Sequence, residues 1–226
     1  QWRYERLQQQ AETSGCQLVL TGHTASDRAE TLLFHLIRGA DLTGLSSLRQ
    51  SRPLGGGITL VRPLLAFSRA DTQACCEDLG LPVWHDSTNS DRQFSRNRLR
   101  LDVMPELEGL NPGATQHLAR TAQLLEELEG QHSALEALAL EAIRSEPDSW
   151  ELDRQRWQQQ PIELQKRLLH RWVQQTCQQQ LSAALTTEIW RQLQKPGRRP
   201  PIALSHGWQL QAEASMLKLI PPAAAT

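Results

Sequence analysis

Apolar positions in the first part of the chain switch repeatedly between helical spacing and short unbroken runs. Trp2, Leu7 and Ala11 recur at roughly helical intervals, Gly15 supplies a stop, and Gln17 to Leu20 then read as a strand. Leu32, Leu33, Leu36 and Ile37 put one buried stripe on a helix over 27–38 that ends at Gly39. After a loop containing Gly55-Gly-Gly57, Ile58 to Val61 predict a strand, and Ser68-x-x-Asp71 opens a helix over 69–79 that Gly80 ends. Leu81 to Trp84 predict a further short strand, so helix and strand alternate as they do in a parallel sheet covered on both faces.

From Asn111-Pro112 onward the pattern changes. Leu118, Ala122, Leu125, Leu128, His132, Leu135, Ala139 and Ala142 step by threes and fours. They predict one helix over 114–143 with a single packing seam, on which His132 is a surface or seam residue. Pro147-Asp148-Ser149 marks a boundary, followed by helices over 162–177 and 186–194. The Gln-rich stretch 155–180 carries Trp157, Leu164, Leu168, Leu169, Trp172 and Val173, which makes it an amphipathic helix with an uncharged polar face rather than an aggregating tract. Ile202 to Leu204, Trp208 to Leu210 and Met216 to Ile220 predict a small β-meander, and the final Pro-Pro-Ala-Ala-Ala-Thr a frayed tail.

Composition narrows the class only modestly. A chain of 226 residues with 39% hydrophobic content can hold one large domain, or one domain and a small appendage. No apolar run approaches the roughly 20 residues of a bilayer span and no signal peptide is evident, so no membrane and a cytoplasmic location are the default expectation. The four cysteines show no Cys-x-x-Cys spacing and are expected to be buried thiols. The net charge of −1 does not exclude nucleic acid, because a local basic face can coexist with a neutral total.

Candidate chemistry gathers where the first strand runs into the second helix. There a strand end presents His23, Asp27 and Glu30, the usual location of chemistry in an α/β sheet. Asp27-x-x-Glu30 has two readings, a capping box at a helix start or an anionic pocket for an ammonium group. His23 is either a hydrogen-bonded structural residue or part of the site. Arg92, Arg96, Asn97, Arg98 and Arg100, with Phe94 among them, are either a solvated face or contacts to phosphate and a stacked base. Arg191, Lys195, Arg198 and Arg199 form a second basic group around a turn, with the same two readings.

The order Gly22-His-x-x-x-Asp-x-Ala-Glu-Thr31, Leu36-Ile-Arg-Gly39, Arg62-Pro-Leu-Leu65, Trp84-His-Asp-Ser-Thr-Asn89, Arg96-Asn-Arg-Leu-Arg100 and Met104-Pro-Glu-Leu107 resembles the tRNA(Ile)-lysidine synthetase family across residues 2–107. The resemblance implies an α/β fold: an incomplete doubly wound parallel sheet of the ATP pyrophosphatase type over 1–107, a helical linker over 108–147, and a small α+β tRNA-recognition domain over 148–226. It implies ATP-dependent ligation of L-lysine to C2 of the wobble cytidine in an isoleucine tRNA with a CAU anticodon, through an adenylated base. ATP and Mg2+ are then required, and the assembly is open to a homodimer. Asp27 and Glu30 are expected at the lysine and ATP sites, with His23 as a third catalytic residue and Arg3 as a substrate contact.

This chain departs from the family's usual His-His-x-Asp-Asp, with Thr24 at the second His, Ser26 at the first Asp and Arg28 at a common Gln. That weakens any two-carboxylate magnesium site, and the metal ligands stay unknown. The family's Ser-Gly-Gly-x-Asp-Ser phosphate loop is not found, and Gly55-Gly-Gly57 precedes a strand rather than a helix. The expectation is therefore a truncated chain lacking its N-terminal ATP pyrophosphatase loop. A tRNA thiolase of the same superfamily, disfavoured by the missing Cys-x-x-Cys, and a non-catalytic tRNA-binding module are the alternatives.

Overall fold

The computed structural model describes residues 2–84, 86–146, 149–195 and 200–222. His85, the Pro147-Asp148 boundary, Arg198, Arg199 and the last four residues of the expected frayed tail lie outside the described residues. Two compact units emerge, Gln1–Gly130 and Gln131–Thr226.

In the first unit, helix α1 (Trp2–Thr13) leads into strand β1 (Leu18–Leu20), and α2 (Ala25–Leu36) and a short α3 (Leu42–Leu45) follow. Strands β2 (Ser51–Gly55) and β3 (Ile58–Val61) then form a hairpin whose turn is Gly56-Gly57, directly after Gly55 at the end of β2. All three glycines have positive φ, at 111°, 57° and 77°, which explains why side-chain-free residues stand there. β3 is central: it pairs in parallel with β1, Leu18 opposite Thr59, and antiparallel with β2, Ser51 opposite Val61. Ile58 and Leu60 turn into the core and are buried, as the two-residue period requires.

The sheet is thus mixed, correcting the all-parallel expectation. β2 escaped the sequence pattern because Ser51, Arg52 and Pro53 are poor strand formers that serve as an edge. The expected strand at Leu81–Trp84 has no ladder partner among the described residues. Its beginning is committed elsewhere. Helix α4 (Arg69–Asp78) closes with Gly80 at φ 62°, and Leu81 N–H reaches back to the Cys76 carbonyl at 2.8 Å, a Schellman-type stop. The apolar run that follows is exposed, Trp84 at 91%.

Beyond it, α5 (Ser95–Arg98) runs through a π-helical segment, Leu99–Val103, into α6 (Met104–Leu110). Met104 and Leu99 are buried while Arg96 and Arg100 stay together on the opposite side of the packing. Helix α7 (Ala114–Ile143) has the length and bounds that its spacing predicts. Its seam differs, because Leu128 and Leu135 are exposed. In the first unit the packed face is built from the buried Ala119, Ala122 and Glu129 with the half-buried Glu126 instead. Glu126 accepts Arg28 Nη2 at 2.9 Å and the Gln50 N–H at 3.0 Å, and Glu129 accepts the Thr43 hydroxyl at 3.1 Å. Carboxylates with partners can occupy a helix seam that apolar counting assigns to leucine. His132 is exposed.

The second unit takes the far end of α7, where Leu140 and Ile143 join a core with Leu152, Trp157, Leu168, Leu169, Trp172, Ile189, Leu193, Leu210 and Leu217. Strand β4 (Glu151–Asp153), α8 (Arg154–Gln158), α9 (Ile162–Cys177) and α10 (Ala183–Gln194) precede β5 (Ile202–Ala203), β6 (Gln209–Ala212) and β7 (Met216–Ile220). The sheet order is β4-β7-β6-β5, all antiparallel, so the expected meander gains β4 as a fourth strand. Gln165 on α9 is a buried hub. Its carbonyl oxygen Oε1 accepts Trp190 Nε1 at 2.9 Å and Gln194 Nε2 at 2.8 Å, and its amide donates to the carbonyls of Gln158 and Gln160. Cys177 is buried, and burial pushes its thiol up to about 11, out of reach of reactivity. Cys16 and Cys75 are exposed, and Cys76 is partly so, against the expectation that all four are buried.

Candidate active site

Two helix starts converge beside the ends of β1 and β3. Thr21 N–H binds the Val61 carbonyl at 3.0 Å, continuing the β1–β3 ladder, and the chain then turns at His23 into α2. Thr24 caps that helix: its hydroxyl accepts Asp27 N–H, while Asp27 Oδ2 accepts both the N–H and the hydroxyl of Thr24 at 2.9 Å. The box is therefore Thr24-x-x-Asp27, not Asp27-x-x-Glu30. Capping accounts for Oδ2 of Asp27 and leaves Oδ1 and all of Glu30 for something else.

Helix α4 starts alongside, with an equivalent box between Ser68 and Asp71. The two starts are stitched together by Ala25 N–H to the Phe67 carbonyl at 2.8 Å and by Arg69 N–H to the Ser26 hydroxyl at 3.1 Å. That stitching aims Arg69 at the carboxylates, 3.2 Å from Asp27 Oδ1 and 3.2 Å from Glu30 Oε1. Arg96 approaches from α5, at 3.3 Å from Asp27 Oδ1 and 3.4 Å from Glu30 Oε2. Arg100 adds contacts to both, at 3.6 Å to Asp27 Oδ1 and 2.9 Å to Glu30 Oε1. The Glu30 side chain is 2% exposed, so its charge needs these partners. Three guanidiniums around two carboxylates leave one positive charge in excess.

The electrostatics follow. Burial alone would raise the Asp27 carboxyl, but the two Thr24 hydrogen bonds and the Arg69 and Arg96 charges outweigh it and hold the group below its ordinary value. The hydrogen bond to Glu30 raises Arg100 against the cost of burial. His23 moves the other way. Burial lowers it first and the Arg62 charge lowers it further; Asp27 opposes them, and Arg96 and Arg3 add to the lowering. Its imidazole is therefore neutral near pH 7, with Nδ1 2.9 Å from the Thr21 hydroxyl.

The sequence candidates separate into groups. His23, Asp27, Glu30, Arg96 and Arg100 come together. Arg3 is exposed on α1 and acts on this group only through its charge on His23. Arg92 is exposed and pairs with Asp102 at 3.1 Å, and Arg98 is exposed. Asn97 is buried, and its amide donates to the carbonyls of Thr88 and Asp91, both at 2.8 Å. This corrects its placement among the nucleic-acid contacts: the side chain fastens the 88–91 turn, which holds the arginines of α5 in place. Phe94 is 58% exposed next to them. Sequence reasoning missed Arg69 and Thr24. A residue directly after a capping serine at a crossover helix start was the available signal for Arg69.

No three His, Cys, Asp or Glu side chains gather as a metal site among the described residues. With Asp27 and Glu30 already engaged by arginines, these side chains do not fit a resident magnesium ion.

A layered α/β unit with its polar cluster beyond the strand ends defines the class, and residues 1–107 match the model of the PP-loop domain. Residues 152–216 match that of the TilS substrate binding domain. A tRNA(Ile)-lysidine synthase of Parasynechococcus marenigrum is 45% identical over 227 residues, covering 99% of this chain and 66% of the relative. One from a Synechococcus strain is 46% identical, covering 85% and 58%, and one from Gloeobacter violaceus is 39% identical, covering 97% and 67%. The chain belongs to the tRNA(Ile)-lysidine synthase family. It spans 66% and 58% of the length of the first two relatives. The PP-loop domain is present over 1–107, which overturns the expectation of a chain lacking its N-terminal ATP pyrophosphatase loop.

Proposed function

We propose that this chain carries out, in its whole protein, the ATP-dependent ligation of L-lysine to C2 of the wobble cytidine in an isoleucine tRNA with a CAU anticodon. The observation that carries the reading is the Asp27–Glu30 pair ringed by Arg69, Arg96 and Arg100 at the strand ends of a PP-loop domain. A site with both carboxylates and guanidiniums suits a zwitterion and a polyanion at once. The contacts to Asp27 Oδ1, at 3.2–3.6 Å, are long enough for a substrate ammonium to replace one of them.

In the chemistry so proposed, the cytidine O2 attacks the α-phosphorus of ATP and diphosphate leaves. The lysine ammonium then gives up a proton, the free amine attacks C2, AMP departs with O2, and the new C–N nitrogen sheds its surplus proton to water. The Asp27 carboxylate, held below its ordinary value, is a poor base, so it holds and positions the ammonium beside Glu30, and neutral His23 takes the proton that the ammonium loses. Magnesium accompanies ATP as part of the substrate, and no step is assigned to it. The exposed Arg92 and Arg98, with Arg96 and Phe94, receive the tRNA backbone and a stacked base. We assign nucleotide binding to 1–107, a helical connection to 108–147 and tRNA recognition to 148–226, in the cytoplasm. A homodimer is the assembly that light scattering would test.

Names of the relatives favour this reading over a thiolase, and the clustered site favours it over a binding module without catalysis. The test is lysidine formation by the purified protein with ATP, magnesium, lysine and isoleucine tRNA, read by mass spectrometry of the tRNA. Asp27→Asn keeps an acceptor for Thr24 and removes the charge. It should raise the lysine KM or lower turnover by at least about tenfold, roughly 1.4 kcal/mol. Unchanged kinetics with a lowered Tm would return Asp27 to a purely capping role.

A further inference from the structure

Arg62 follows the last residue of β3 and is 2% exposed. Its Nη1 donates to the Arg49 carbonyl at 2.6 Å and its Nη2 to the Tyr4 hydroxyl at 3.5 Å. Its Nε is sealed from solvent with no hydrogen-bond partner. Among the described residues no carboxylate pairs with it. Arg28, buried nearby in the same unit, shows the ordinary arrangement, with Glu126 at 2.9 Å. A buried guanidinium without a counter-charge is costly to keep.

Its other neighbours add positive charge. Arg52 stacks over the Tyr4 ring at 4.4 Å from the centroid. Burial would raise the Tyr4 phenol, yet the hydrogen bond and charge of Arg62, with Arg52, draw it below its ordinary value. On the remaining side, the backbone places His23 beside this charge: Val61, next to Arg62, accepts the N–H of Thr21, whose hydroxyl meets His23 Nδ1.

We propose that Arg62 is a positioning residue for the proton-transfer step, its uncompensated buried charge keeping His23 in the uncharged form that can accept a proton. This rests on the ligase reading only for the identity of the proton. The charged groups facing His23 are Arg62 at the end of β3, Asp27 on α2, Arg96 on α5 and Arg3 on α1. Asp27 alone favours the imidazolium, and burial acts with the arginines against it. Arg62 is the buried one among those arginines, so its field is the least screened by solvent.

The test is a proton NMR titration of the histidines in the whole protein, with His23 assigned by comparison with His23→Gln. The His23 midpoint should lie below that of an ordinary imidazole, move up in Arg62→Gln, and stay near the parent in Arg62→Lys. Arg62→Met, which fills similar space, replaces the Gln variant if that one does not fold. A parent midpoint at or above the ordinary value overturns the proposal, as does a midpoint that a folded, charge-free variant leaves in place. The titration needs neither lysine nor tRNA, so failure of the ligase reading leaves it standing. In the ligation assay the acid limb of the pH profile should rise with the NMR midpoint. A limb that stays put while the midpoint moves overturns the proton-transfer role.

Discussion

Arg100 grips Glu30 with two parallel hydrogen bonds, Nε to Oε1 at 2.9 Å and Nη2 to Oε2 at 3.1 Å, across 70 residues of sequence. A bidentate pair of this kind fixes direction as well as distance, so α2 and the π-helical segment are locked in one relative rotation. Arg69 and Arg96 complete the ring around the same carboxylate.

Glu30→Gln keeps the shape of the side chain and removes its charge, leaving three guanidiniums facing Asp27 alone. The expected loss is roughly 1–3 kcal/mol, below the full range for a broken buried pair because Arg69 and Arg96 are over 40% exposed. Urea unfolding of the variant beside the parent measures it. A loss no larger than that of Arg92→Gln, whose ion pair with Asp102 is at the surface, would remove Glu30 from its central position.

Asp27 sets an acid dependence of stability. Its folded value lies below the ordinary 3.8, so the unfolded chain takes up the proton first as pH falls. The contribution is complete above 3.8 and disappears as pH drops through the lower folded value. Thermal unfolding at a series of pH values below about 5 should therefore show a shallower acid decline in Asp27→Asn than in the parent. Parallel curves would mean that Asp27 titrates alike in both states.

Gln165→Met should destabilise the second unit by about 1–3 kcal/mol, because Trp190 Nε1 and Gln194 Nε2 lose their shared acceptor. Gln174→Met, on the exposed face of the same helix, should cost little. Equal midpoints in urea for the two variants would refute the hub.

Arg98→Gln and Arg96→Gln should each weaken isoleucine-tRNA binding and reduce the magnitude of its salt slope by somewhat under one unit per lost phosphate contact. Filter binding over a salt series gives the slope. Arg191, whose guanidinium lies 3.7 Å from Glu188, together with Lys195, provides the comparison for the second unit. Identical slopes for all variants would direct attention to α7.

Much of this was legible in the residues themselves. Ala114–Ile143 and Ile162–Cys177 show strong long periodicities, and each begins and ends where the pattern says. Short segments were less readable, since their state depends on what lies beside them. Leu81 has the composition of a strand but spends its N–H on closing α4, and Pro53 sits in a strand that only an edge could accept. The site divides the same way. Asp27 and Glu30 announce themselves at a helix start, whereas which of them belongs to the cap depends on Thr24, and their ring of arginines depends on helix starts that meet only in three dimensions.

The π segment between Ser95–Arg98 and Met104–Leu110 carries an implication for insertions and deletions rather than substitutions. Such a turn holds one residue more than α-helical pitch accommodates. Deleting one residue from 99–103 would restore that pitch and leave the flanks nearly in register, whereas inserting a further residue would rotate everything after it by about 100° relative to what precedes it. Arg96 would keep its bearing on Glu30 while Met104 swung out of the core, so the register of this stretch is protected by residue count. A family alignment free of insertions here, among sequences that vary freely in side chain, would be the evolutionary trace of that constraint.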